Sequence, residues 1–313
     1  MRNYHIYDLS VNSDLDLPAN PSIKATINPA RNLSVSYLPK ALQEFTRVQW
    51  ISSRYGGLIR SYDTQEGILV CVEGEDQHLR FWVNNDATLL KFDSLCSIAP
   101  AVIANLGLSI CKLLQGEVTL HGISVEFDRK LVSILARSQT GKSTLLWTLL
   151  DAGAQFAGDD VLPVHIQDAK VIATPSVSLH AKFSQETLVR RDIDCTQLRP
   201  ISHDADMFWL PFARERRVVD RRQLDALFVL QPTPHMNVDT VHVSRLGGGE
   251  AISLLMENTH GLWAAYPVLD GRLMFDIYTA LVKNMPIYVL AYVRRYEVLP
   301  RLVDAVFNCC AKE

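Results

Sequence analysis

The stretch Leu135-Ala136-Arg137-Ser138-Gln139-Thr140-Gly141-Lys142-Ser143-Thr144 decides how this chain is read. The apolar run Val132–Leu135 reads as a strand, and a helical pattern follows the loop at once, over 143–152. Strand, short loop and helix around Gly-Lys-Ser-Thr is the layout of a phosphate-binding loop. Backbone N–H groups of the loop and of the helix N-terminus converge on one place, and the helix dipole there favours negative charge. Lys142 is placed to reach β- and γ-phosphate oxygens, and the Ser143 hydroxyl to ligate Mg²⁺. Ala136 stands where the first glycine of GxxxxGK[ST] is expected. The bland reading is a chance Gly-Lys-Ser turn at a helix start; the strand before it and the helix after it favour nucleotide binding.

Downstream, Gly153 stops the helix at its C-cap position, and Gln155–Ala157 reads as a strand ending at Gly158-Asp159-Asp160. Strand, loop, helix and strand make a βαβ unit, which implies a right-handed crossover and a parallel pair. The two acids lie 17 and 18 residues after Lys142, so they belong at the end of the strand next to the loop. Phosphoryl transfer needs carboxylates there, one to hold Mg²⁺ and one to take the proton of an attacking hydroxyl. Adjacent residues at a strand end point in different directions, which leaves both roles open. A solvated acidic turn is the competing reading. Upstream, His121-Gly122 lies in the alternating strand Val118–Glu126; taken alone, a strand histidine is more often structural.

The wider chain is read more coarsely. Residues 1–95 carry short strand-like runs punctuated by Asn, Asp and Gly, and read as a β-rich N-terminal domain. Residues 96–313 read as an α/β catalytic domain. The apolar stretch 97–114 contains Pro100, Asn105, Ser109 and Lys112 and falls short of a clean membrane span, so it reads as a buried helix. Phe183–Val189 reads as helical and Asp192–Met207 as a polar loop. Ile287–Tyr292 reads as a strand and Glu297–Cys309 as a closing helix.

Composition narrows the function class. With 313 residues, 48% hydrophobic and 21% charged, the chain has the makeup of a folded soluble protein. A net charge of −3 argues against a general nucleic-acid binder. Six cysteines without CxxC spacing suggest neither a disulfide framework nor a zinc site, and a cytoplasmic setting is expected. Neither a signal peptide nor a membrane partner is expected.

Three further signals carry two readings each. Arg214, Arg216, Arg217, Arg221 and Arg222 crowd nine residues, with Glu215 and Asp220 between them. They are a solvated charged loop, or a clamp on ATP phosphates or on an acidic peptide. Lys182 is a surface lysine or a phosphate contact. Gly247-Gly248-Gly249 reads as a strand-to-helix turn.

Leu120-His121-Gly122, the loop through Gly141-Lys142-Ser143-Thr144, and Gly158-Asp159-Asp160-Val161 together resemble the catalytic domain of HPr kinase/phosphorylase. The full layout resembles the HPr-kinase-like proteins of peptide natural-product operons, among them kinases of lasso-peptide precursors. It includes an opening Tyr4-x-x-Tyr7-x-Leu9 and Leu15-x-Leu17-Pro18. Residues 120–162 carry the specific motifs. The resemblance implies a P-loop HPr-kinase-like catalytic domain with a smaller β-rich N-terminal domain; because the catalytic unit reads as complete without residues 1–95, they are the expected place for substrate recognition. It implies Mg-ATP on Ala136, Arg137, Ser138, Gln139, Thr140, Gly141, Lys142, Ser143 and Thr144. Asp159 would be the base for the acceptor serine, Asp160 and Ser143 metal-associated, and His121 would line the reaction centre. The implied partner is a peptide or small protein with an acceptor serine. HPr kinases are hexameric, so the resemblance also allows a homo-oligomer. A serine kinase leads, with a nucleotide-binding switch or ATPase and a kinase of a small alcohol as alternatives.

Overall fold

Short alternating runs in the first hundred residues pair into one sheet, because each has a buried face to cover. A computed structural model describes residues 2–7, 9–17, 31–37, 50–54, 57–74, 78–136, 140–175, 180–201, 204–234 and 240–311. Its contacts divide the chain into two units, Met1–Thr119 with His260–Met274 and Leu120–Thr259 with Phe275–Glu313.

The first unit holds strands β1 (Arg2–Ile6), β2 (Leu9–Ser13), β3 (Arg31–Tyr37), β4 (Trp50–Arg54), β5 (Gly57–Thr64), β6 (Gly67–Gly74), β7 (His78–Asn84) and β8 (Leu89–Phe92). They form one sheet in the order β1-β2-β3-β8-β7-β6-β5-β4. In β7, buried Leu79, Phe81 and Val83 alternate with less buried residues, the pattern of a sheet with one packed face. The apolar stretch folds as α1 (Ala99–Val102), a π-helical turn (Ile103–Gly107) and α2 (Leu108–Leu114). Val102, Ile103, Leu106, Leu108, Ile110 and Leu113 are buried. A Cβ on Gly107 would stand 2.8 Å from Leu90 of β8. That burial assigns the helix to the sheet's unit, where the sequence reading draws a boundary at 95/96. Among the described residues no helix is long and apolar enough to cross a membrane.

The second unit begins with the hairpin β9 (Val118–Phe127) and β10 (Lys130–Leu135). Its turn places Asp128 at φ 46° and Arg129 at φ 63°, the left-handed pair of a type I′ turn. Then come α3 (Lys142–Asp151), β11 (Gln155–Gln167), β12 (Lys170–Ala173), β13 (His180–Ser184), α4 (Gln185–Val189), β14 (Arg199–Ile201) and β15 (Asp204–Pro211). After them follow β16 (Arg222–Pro232), β17 (His242–Leu246), α5 (Gly248–Glu257), α6 (Leu262–Ala265, in the first unit), α7 (Gly271–Asn284), β18 (Ile287–Tyr292) and α8 (Leu299–Ala311).

Strand β10 pairs antiparallel with β9 and parallel with β16, and β16 pairs parallel with β18. These three parallel strands are apolar along most of their length, as strands covered on both faces are. Leu145, Leu146, Leu149 and Leu150 of α3 share one core with Leu302, Val303, Val306 and Cys310 of α8. The expected parallel partner of β10 was the strand after α3. That strand, β11, instead neighbours β9 and β12, because β9 and β16 already occupy both edges of β10. A second difference is that β11 runs on through the two acids to Gln167. Phe183 belongs to β13, and the helix read there starts at Gln185, capped by the Ser184 side chain accepting from Thr187 N–H. The segment read as the loop Asp192–Met207 carries β14 and the start of β15. Ile287–Tyr292 has the bounds read from sequence.

Gly122 has a packing reason: a Cβ there would stand 2.5 Å from the Ile134 carbonyl oxygen across the β9–β10 ladder. Gly122→Ala forces the strands apart, which costs about 1–3 kcal/mol. Thermal melting should show a Tm several degrees lower, and an unchanged Tm would contradict this packing account.

Candidate functional site

The loop begins where β10 ends. Ala136 is buried and its methyl joins the core cluster of the second unit, which explains an alanine where a glycine was expected. Arg137, Ser138 and Gln139 lie outside the described residues. Gly141 caps α3 at φ 98°, a left-handed conformation that glycine adopts without strain. Among the described residues no side chain caps α3, and the first-turn N–H groups of a helix lack an acceptor within it. The Leu145 N–H donates to the Gly141 carbonyl at 2.9 Å, so helical bonding starts at the cap. Lys142 folds back so that its Nζ donates to the Ala136 carbonyl at 2.6 Å. From the far side, the Tyr292 hydroxyl donates to the Thr140 carbonyl. Tyr292 is buried, and burial pushes its phenol up to about 12, so it stays a donor at neutral pH.

The two acids sit within β11, not at its end. Asp160 has φ 79°, a left-handed conformation that is uncommon for a residue with a Cβ and strained in a strand. A regular strand would send Asp159 and Asp160 to opposite faces. Here both meet one residue of β13: Asp159 Oδ2 accepts the Lys182 backbone N–H at 2.8 Å, and the Lys182 ammonium is bonded to Asp160. Both acids thus meet Lys182, one at its backbone and one at its ammonium, across a left-handed turn at Asp160. Burial first, and then the Asp160 charge, raise the Asp159 carboxyl, while Lys182, its backbone N–H and Lys142 act the other way, and the net is about 6. Lys142 is thus within electrostatic reach of Asp159. Burial pulls the Lys182 ammonium down, but Asp160 and Asp159 outweigh it and the net shift is upward. The ammonium also lies 5.1 Å from the Trp209 ring centroid.

Lys182 reads from sequence as a surface lysine or a phosphate contact, and its pairing with the two acids was not expected. His180-Ala181-Lys182-Phe183-Ser184 alternates polar and apolar, the period-2 signal of a strand, and that signal was available. His121 is placed by register: Gly122 opposes Leu135, so His121 lies level with Ala136 at the mouth of the loop. Its side chain is half-buried and its N–H donates to the Asn258 carbonyl at 2.8 Å. The arginine cluster divides. Arg222 Nε lies 2.5 Å from Glu126 Oε2, a structural ion pair, whereas Arg216 is exposed in a 3₁₀ turn.

A cavity of about 310 Å³ opens beside the loop. Thr140, Gly141, Thr144, Tyr292, Arg295 and Tyr296 are among the residues lining it. It adjoins the first turn of α3, and its walls offer an aromatic ring, guanidinium groups and hydroxyls. A planar base and a ribose need such a mixture.

Hard oxygen donors suit Mg²⁺, and Ser143 and Asp160 supply them. Asp160 already balances a cation, the Lys182 ammonium. Among the described residues no three His, Cys, Asp or Glu side chains gather as a metal site. An ion held by Ser143 and Asp160 would take its remaining ligands from substrate phosphates and water, the usual habit of Mg²⁺.

No protein-family model matches the chain, and no curated protein matches it. Among solved structures, the Hpr(Ser) kinase/phosphatase from Coxiella burnetii is similar with a TM-score of 0.36 and 14% identity. The alignment covers 62% of this chain and 97% of that one.

The Asp159 carboxyl titrates from an ordinary 3.8 in the unfolded chain to about 6 in the folded one. Between those values the folded state binds more proton, so this group's contribution to stability falls as pH rises through the interval. Asp159→Asn removes that penalty. The variant's Tm relative to the parent should be higher near pH 7.5 than near pH 4.5; the opposite order would contradict the burial of an unfavourable carboxylate.

Proposed function

We propose that the chain is a Mg-ATP-dependent kinase that transfers the γ-phosphoryl group to a serine hydroxyl of a peptide or small protein. One observation carries this reading: the loop lysine, Lys142, lies within electrostatic reach of a carboxylate, Asp159, tuned to about 6. A base with a pKa near the working pH combines the right protonation state with the ability to take a proton.

Each residue then has a role. The first-turn amides of α3 receive the phosphates. Lys142 exchanges its bond to the Ala136 carbonyl for phosphate oxygens and offsets the charge that develops there. The cavity edged by Thr144 and Tyr296 takes the nucleoside, and Tyr292 holds the loop through the Thr140 carbonyl. Ser143 and Asp160 would hold Mg²⁺, which when bound supplies positive charge to the transferring phosphoryl group. Asp159 accepts the serine proton as the serine oxygen bonds to phosphorus and the bridging oxygen leaves with ADP. Lys182 holds Asp160 through its ammonium, and a divalent cation bound to Asp160 would supply the same kind of positive charge there. His121, level with Ala136, lines the reaction centre. The narrower acceptor, a lasso-peptide precursor, is supported by the resemblance of the full sequence layout alone. Substrate recognition by the N-terminal region is proposed because the motifs of the catalytic unit all lie outside it.

The test uses γ-labelled ATP with a degenerate serine-centred peptide library and, separately, free serine. Label on peptide is the expected result. Lys142→Ala should lower transfer about a thousandfold. Asp159→Asn should lower it about 10²–10⁴-fold. Free phosphate without labelled serine would favour an ATPase, and label on free serine alone a small-alcohol kinase. An Asp159→Asn protein that transfers at the parent rate would sink the assignment of the base.

A further inference from the structure

The sheet β13–β15–β14 has two unlike faces. Ala181 and Phe183 are fully buried in the core of the second unit, and Phe208 and Leu210 pack against that core. Side chains alternate along a strand, so His180 and Lys182 of β13 share the other face with Met207 and Trp209 of β15. Register sets Lys182 opposite Trp209, and Trp209 opposite Arg199 of β14. These three form a row across the sheet. His180 meets the same tryptophan edge-on, with ring centroids 6.3 Å apart. Arg199 is exposed and Trp209 half-buried. Burial lowers the His180 imidazole, and the charges of Arg199 and Arg217 lower it further, so both guanidinium groups stand near this face.

The row changes character along its length. At one end, Lys182 is balanced by Asp160 beside the proposed base. An aromatic ring lies in the middle, and a guanidinium at the other end. None of His180, Lys182, Ser184, Met207, Trp209 and Arg199 is a carboxylate. Strand β14 carries Pro200, which has no N–H to offer an added strand. A ligand here is therefore gripped by side chains and not by sheet extension.

We propose that this face docks the acceptor segment and selects an acidic residue about four positions from the hydroxyl to be phosphorylated. The inference rests on Asp159 being the base for that hydroxyl, and adds the acceptor it selects. The spacing follows from sheet geometry. Adjacent strands lie about 4.8 Å apart, so two steps from Lys182 to Arg199 span about 10 Å. The Asp159 carboxylate lies one hydrogen bond of 2.8 Å beyond the Lys182 backbone, so the whole path is about 13 Å, and an extended peptide rising about 3.3 Å per residue covers it in about four. With the hydroxyl at Asp159, the peptide crosses Trp209 and places its carboxylate on Arg199. Arginine suits that end because its planar fork takes a carboxylate through two parallel hydrogen bonds.

The experiment uses the full chain and serine-centred peptides carrying Glu, Gln or Lys four residues to either side. Binding is read by fluorescence anisotropy, and transfer by γ-labelled ATP. Glu peptides should bind, and be labelled, about tenfold better than Lys peptides. Arg199→Glu, at an exposed position, should leave the Tm unchanged and invert the preference. Labelling without a charge preference, or a preference that Arg199→Glu leaves intact, would overturn the docking face and leave the kinase reading standing. The predicted binding preference without any labelling would keep the docking face and overturn the kinase reading. Neither binding nor labelling would overturn both.

Discussion

Two neighbouring carboxylates of one strand meet a single residue, Lys182, and the site depends on that contact. Asp160 takes a left-handed turn there, at a cost of about 1–3 kcal/mol for a residue with a Cβ. Its charge helps to raise the Asp159 carboxyl. Lys182 answers both, with its ammonium on Asp160 and its backbone N–H on Asp159. The same residue ties β13, and through it the three-stranded sheet, to β11. Chemistry and local architecture thus share one contact, and removing Lys182 would disturb both.

A second constraint comes from strand direction. Strands β10, β16 and β18 run parallel, so their carboxyl ends lie along one edge. Ligands of α/β sheets bind in the crevice outside such ends. The loop leaves the end of β10, and the end of β18 supplies Tyr292, whose hydroxyl reaches back to Thr140. The cavity opens between these two ends and is walled by residues following β18. Loop, nucleoside cavity and phenol anchor therefore follow from one feature, the alignment of strands far apart in sequence.

What was legible in the sequence was local. Ile287–Tyr292, the β9–β10 hairpin and α3 follow from period, turn chemistry and Gly141 within windows of about ten residues. The loop and the acidic pair were found because each is a compact run of residues. What escaped was non-local or contrary to type. The parallel partner of β10 is β16, and nothing near residue 135 announces it. Asp160 takes a conformation usually left to glycine, so the strand seemed to end where it in fact turns. Lys182 earned little weight because its partners are 22 and 23 residues away in sequence. Its surroundings were read as helix although they alternate as a strand. The conversion of two acids into a lysine-bridged pair is a tertiary event, visible only once β11 and β13 lie side by side.

The most direct test of this account is calorimetric titration of the intact chain with a non-hydrolysable ATP analogue, with and without Mg²⁺. The account predicts one site per chain, binding that needs Mg²⁺ for full affinity, and loss of that binding in Lys142→Ala. Binding of equal strength with and without Mg²⁺, or undiminished in Lys142→Ala, would contradict it.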